Sequence, residues 1–115
     1  MRVLLDHCTP ARLRRHLAPH SVNTAYRLGW HQLTNGKLLH AAEQGGYDVF
    51  ITADQNMQYQ QRVSDRRIAI IVLTNGNWPA IEANLPKLVA VVDRCKPGDF
   101  HVVAMDDSSA SVPAL

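Results

Sequence analysis

Two carboxylates, Asp6 and Asp54, each close a short apolar run, Val3-Leu4-Leu5 before the first and Val49-Phe50-Ile51-Thr52 before the second. An acid at the end of a buried strand is well placed for chemistry, because ligands in open α/β sheets bind outside the carboxyl ends of the strands. Parallel strands bring those ends to one rim, so the two carboxylates are candidates for a shared site. Oxygen donors on one rim suit Mg²⁺ or Mn²⁺, which take carboxylates and keep several waters. Such an ion activates a water and offsets charge on a phosphodiester transition state. The plainer alternative, and the commoner duty of a lone Asp, is to cap the turn or helix that follows.

The elements that must position these acids can be read in order. Val, Phe, Ile and Thr favour strands, and runs without alternation suggest burial on both faces. After Asp6, Thr9-Pro10 predicts a helix start, with Thr as cap and Pro in the first turn. That helix is expected to reach about Leu17, burying Leu13 and Leu17 and turning Arg12, Arg15 and His16 outward. Ser21 to Tyr26 reads as a short strand beside the first. Leu28-Gly29-Trp30 closes a turn, and Thr34 caps a second helix with Leu38, Leu39, Ala41 and Ala42 on its apolar face. Gly45-Gly46 ends that helix.

The segment from Gln55 to Gln61, with four glutamines, reads as a short helix or an ordered loop. Ile68 to Leu73 is the clearest strand and should be covered on both faces. Trp78-Pro79 opens a helical region with Ile81, Leu85, Leu88, Val89 and Val92 on one face. Pro86 divides it into two short helices or a kinked one. Lys96 to Asp99 is a turn and His101 to Met105 a final edge strand. The tail 106–115 is small and polar and is expected to fray. Alternating strands and helices predict a mainly parallel sheet of about five strands with helices on both faces, in one domain over residues 1–105.

Bulk composition bounds the function more weakly. The chain has 115 residues, of which 46% are hydrophobic and 19% charged, an ordinary globular balance. A net charge of +2 does not announce a nucleic-acid partner, so such a claim depends on where the charges lie. Cys8 and Cys95 form no paired motif and read as free thiols in a reducing cytosol. No apolar stretch approaches the ~20 residues that cross a bilayer. The expectation is a cytoplasmic protein with no membrane partner.

The chain also resembles the PIN-like family of small prokaryotic proteins, in the branch with a Leu-Leu-Asp-x-Cys-x-Pro opening. The matching pieces are Leu4-Leu5-Asp6-His7-Cys8-Thr9-Pro10, Leu28-Gly29-Trp30, Asn35-Gly36-x-Leu38-Leu39, and Asp48 through Asn56. Tyr59-Gln60-Gln61 and Ile68 to Leu73 extend the match to about residue 105. The resemblance implies a three-layer α/β/α sandwich and a metal-dependent ribonuclease, in several relatives the toxin of a toxin–antitoxin pair. It implies Asp6 and Asp54 as catalytic metal ligands for Mg²⁺ or Mn²⁺, with Asn35, Asn56 and His7 as outer contributors. RNA and a small antitoxin-like protein are the implied partners, and a homodimer is compatible with it.

The chain departs from that pattern where acids usually stand. His7 follows the first Asp in place of Glu, Asn35 and Lys37 open the second helix, and Asn56 replaces a further Asp. Asn brings an oxygen but no charge, and Lys37 repels a cation. A catalytically degenerate PIN-like module that acts through a protein partner is therefore the competing reading. Two basic clusters bear on RNA: Arg12, Arg14, Arg15 and His16 on the first helix, and Arg62, Arg66 and Arg67 before the fourth strand. They attract a phosphate backbone if they flank the carboxylates; each alone reads as a solvated face. A phospho-accepting receiver needs an acidic pair after the first strand and a Lys ending the last, and neither is present. A dinucleotide site needs a glycine-rich loop between a strand and a helix, which is also missing.

Overall fold

A computed structural model describes residues 1–55 and 67–105. Five strands, β1 (Arg2–Leu5), β2 (Ser21–Thr24), β3 (Val49–Thr52), β4 (Ala69–Leu73) and β5 (Phe100–Val103), form one sheet in the order β2-β1-β3-β4-β5. Every pairing is parallel, with Leu5 opposite both Thr24 and Ile51, and Thr52 opposite Val72. The connections are a 3-10 helix (Ala11–His16) between β1 and β2, then α1 (Asn35–Gln44) between β2 and β3. The helices α2 (Trp78–Ala83) and α3 (Leu85–Arg94) join β4 to β5. Because parallel neighbours need a crossover between them, the order from β1 outward reverses once, between β1 and β3.

Side chains along each strand point alternately to opposite faces, and the apolar residues sort accordingly. Val3, Leu5, Val49, Ile51, Ala69, Ile71 and Leu73 cluster with Leu13 and Leu17 and with Ile81, Leu88 and Val92 of α2 and α3. Leu4, Phe50, Ile70 and Val72 cluster instead with Leu38, Leu39 and Ala42 of α1. All five residues of β4 and all four of β3 are buried, as their unbroken apolar runs predict.

Two local expectations change. The first connection is a 3-10 helix rather than a helix from Thr9 to Leu17, though it still buries Leu13 and Leu17. Thr9 does not cap it. Pro10 takes the cap position, while the Thr9 hydroxyl donates to the Asp6 carbonyl at 2.7 Å and closes the turn after β1. Thr34 does precede α1 as its cap residue, without a side-chain cap bond, and Gly46 beyond its end has a φ of 80°. The region after Trp78 is two helices, with Asn84 between them and Pro86 in the first turn of α3 rather than inside a helix. The expected helix or loop over Gln55–Gln61 and the expected tail 106–115 fall almost wholly outside the described residues. Among the described residues no helix is long and apolar enough to cross a membrane.

Phe50 is fully buried at the middle of the sheet. Replacing it by Ala should cost about 3–5 kcal/mol of unfolding free energy in urea titrations, by lost transfer energy and the cavity left behind. Val102→Thr on edge strand β5, where Val102 is half exposed, should stay within ~0.5 kcal/mol.

Candidate active site at the carboxyl ends of the strands

The site begins with Asp6, which follows β1 and is 2% exposed. Its backbone N–H still belongs to the sheet, donating to the Ile51 carbonyl at 2.9 Å, so the side chain is aimed by the β1–β3 ladder itself. A buried carboxylate must be hydrogen-bonded to be tolerated, and this one is. Oδ2 accepts the Thr52 hydroxyl at 2.7 Å and the Cys8 thiol at 3.3 Å. Oδ1 accepts the His7 amide at 2.7 Å and lies 2.9 Å from His7 Nδ1.

Thr52 ends β3 and is fully buried. Its hydroxyl oxygen gives its proton to Asp6 and accepts the Asp54 amide at 3.0 Å. One hydroxyl thus ties the Asp6 carboxylate to the Asp54 backbone across the β1–β3 junction, the point where strand order reverses and where ligands bind in sheets of this kind. Asp54 is half-buried, just past the end of β3. Gly76, in the turn from β4 to α2, lies so close to this junction that a Cβ there would come within 2.9 Å of the Cys8 carbonyl and 3.1 Å of Ala53 Cβ. Gln55 completes the packing by donating to the Leu73 and Ala53 carbonyls.

A pocket of about 800 Å³ opens beside Asp6 and His7. It runs between the 3-10 helix and the turn after β2, and four arginines line it: Arg12, Arg14, Arg15 and Arg27. Among the described residues none of the four forms an ion pair with an acid. The Arg12 guanidinium lies 5.2 Å over the Trp78 ring, whose centroid is also 5.2 Å from that of His16. Asp54 is not among the residues that line this pocket.

The predicted site residues therefore divide. Asp6, His7, Arg12 and Arg15 meet at the pocket, and Asp54 joins Asp6 through Thr52. Asn35 opens α1, the helix that leaves the same edge of the sheet. Asn56, Arg62 and Arg66 lie outside the described residues. Arg67 precedes β4 and so stands at the opposite edge, its amide donating to Glu43 Oε2 and its carbonyl accepting from Gly98. By residue type Thr52 reads only as a strand former, and Tyr26, Arg27 and Trp78 carry no mark of the pocket they line. A hydroxyl ending a fully buried strand beside an acid was the available signal for Thr52.

The oxygen donors at the β1–β3 junction match the preference of Mg²⁺ and Mn²⁺, which often bind through one or two carboxylates and complete their shells with waters and substrate phosphates. Among the described residues no group of three His, Cys, Asp or Glu side chains is gathered to hold an ion. No family model, curated protein or solved structure matches the chain.

Cys8 and Cys95 are both free thiols. Cys8 is solvent-accessible as a residue, but partial desolvation of its thiol pushes it above its ordinary 9.0, and the Asp6 charge adds to the rise against the opposing contacts of Thr52 and the Ala53 amide. A proton held more tightly in the folded state gives stability that is complete below the unfolded value and is lost as pH rises through the folded one. Alkylation of Cys8 by iodoacetamide should accordingly be slow at neutral pH and speed up only in the alkaline range, and Asp6→Asn should shift that rise to lower pH.

Thr52→Val should cost about 1–3 kcal/mol, because it leaves Asp6 and the Asp54 amide each short of a buried partner. Thr52→Ser should recover most of that loss in the same denaturation measurement.

Proposed function

We propose that the chain is a PIN-like, divalent-metal-dependent ribonuclease, with Asp6 and Asp54 as its metal ligands and a three-layer α/β/α architecture around the parallel sheet. The observation that carries this reading is the Asp6–Thr52–Asp54 junction at the strand-order reversal, beside an arginine-lined pocket. Oxygen donors for a hard cation and guanidinium groups for phosphate stand next to each other, which is what phosphodiester hydrolysis requires. The ion, when bound, supplies the activated water. Thr52 holds the Asp6 carboxylate in one orientation, and Arg12 and Arg15 draw the phosphate backbone toward the rim. His7, at 53% side-chain exposure, stands beside Asp6 where it can take or give a proton at Nε2. A cytoplasmic location and a small antitoxin-like partner accompany this reading.

A second reading has its own support. Both Asp6 oxygens are already engaged by Thr52, Cys8 and His7, and the acids expected at positions 7, 35 and 56 are His or Asn. On this reading the chain is a degenerate PIN-like module that acts through a protein partner.

Incubation of a mixed RNA pool with Mn²⁺ separates them. The ribonuclease reading expects cleavage that falls at least about 100-fold in both Asp54→Asn and Asp6→Asn, since loss of a direct ligand should exceed the ~10–100-fold effect of an outer-shell change. Cleavage undiminished by either substitution, or none with any divalent ion, would favour the binding module.

A further inference from the structure

The turn after β2 carries the most exposed large apolar side chain described, Tyr26 at 68%. Exposure of this size in a mobile segment would mean little, but this turn is fixed at several points. The Ala25 amide donates to Leu5 of β1, the Arg27 amide to the Thr24 hydroxyl, Leu28 to the Thr24 carbonyl and Trp30 to the Ala25 carbonyl. Behind Tyr26 lies the His31 ring, with centroids 4.5 Å apart and planes inclined at 31°. The turn is thus fixed and the phenol ring is backed on one side by His31, while most of the residue's surface faces solvent where it lines the pocket.

Arg27 follows Tyr26 on the same turn, and Arg15 of the 3-10 helix lines the same pocket. Four guanidinium groups without acidic partners among the described residues outweigh the pocket's two acids, Asp6 and Glu82. An aromatic face beside guanidinium groups that no described acid pairs matches what holds single-stranded nucleic acid, in which bases stack while cations follow the backbone. A base inside a duplex has no free face to offer, so a platform of this kind selects unpaired nucleotides.

We propose that the pocket between the 3-10 helix and the β2–α1 turn binds one unpaired nucleotide of a single strand, its base stacked on Tyr26 and its phosphate held by Arg15 and Arg27. This subsite rests on the RNA-directed half of the proposed function and not on cleavage.

Fluorescence anisotropy with a short labelled oligouridylate, in EDTA so that no cleavage intervenes, tests it. Tyr26→Ala should weaken binding about 10-fold and Tyr26→Phe no more than about twofold, since stacking needs the ring and not the hydroxyl. Arg15→Ala and Arg27→Ala should each lower the slope of log affinity against log salt by about 0.7, the loss of one phosphate contact to a single strand. The same oligonucleotide annealed to oligoadenylate should bind more weakly. Tyr26→Ala binding as tightly as wild type, or duplex binding as tightly as single strand, would overturn the subsite and leave a general polyanion patch. Ultraviolet crosslinking of the oligouridylate to the wild-type chain, mapped by mass spectrometry, should place an adduct on Tyr26. Adducts confined to other residues would overturn the proposal even if Tyr26→Ala failed to fold. A wild-type chain that binds in this way yet never cleaves RNA with Mn²⁺ would remove the ribonuclease reading and leave the subsite standing.

Discussion

The hydrogen bond from Thr52 to Asp6 is the contact on which the rim of this sheet depends. A carboxylate buried to 2% exposure is tolerable only with its lone pairs occupied, and the Thr52 hydroxyl occupies one at 2.7 Å. The bond exists because β1 and β3 are adjacent and parallel, so that residues just past Leu5 and Ile51 emerge side by side. The other groups of the rim are arranged around it. The Cys8 thiol closes on both partners, at 3.3 Å from Asp6 and 3.4 Å from Thr52, and the Asp54 amide takes the remaining side of the hydroxyl. Gly76 supplies the space that lets the next turn lie over them.

Much of the framework is legible in the sequence because it is written in short, uninterrupted apolar runs. Val49 to Thr52 and Ala69 to Leu73 can be buried on both faces only in a sheet covered on both sides, and that requirement already favours parallel strands. The helix of the first connection was harder to read. Thr9-Pro10 carries the residues of a helix start, yet the Thr9 hydroxyl binds the Asp6 carbonyl instead, a competition between local turn and cap that residue type alone does not decide.

The site was legible only in part, for a related reason. That Asp6 and Asp54 share an edge follows from parallel pairing, but their link through Thr52 depends on register. A strand over Ser21 to Tyr26 is expected beside the first, but which side chains of the turn after it meet Arg12 and Arg15 depends on where that turn lands, which residue type does not state. Arg67 lies elsewhere in the fold. Grouped with Arg62 and Arg66 by sequence, it precedes a strand whose far end faces the site, so the length of β4 separates it from the acids.

The charge arrangement at the rim sets a condition on any cation there. A carboxylate offers about four lone-pair directions; the His7 amide takes one on Oδ1, Thr52 and Cys8 donate to Oδ2, and the His7 imidazole lies 2.9 Å from Oδ1. A hard cation at Asp6 therefore competes with these contacts. The Thr52 hydroxyl is fully buried and also serves Asp54, and the His7 amide is fixed by the turn. The Cys8 thiol is a weak donor, and the His7 imidazole is half exposed with open solvent to swing into. The imidazole is the contact that yields at least cost. His7, half exposed, is thus the side chain best placed to move away from Asp6, while the buried Thr52 bond keeps the carboxylate aimed.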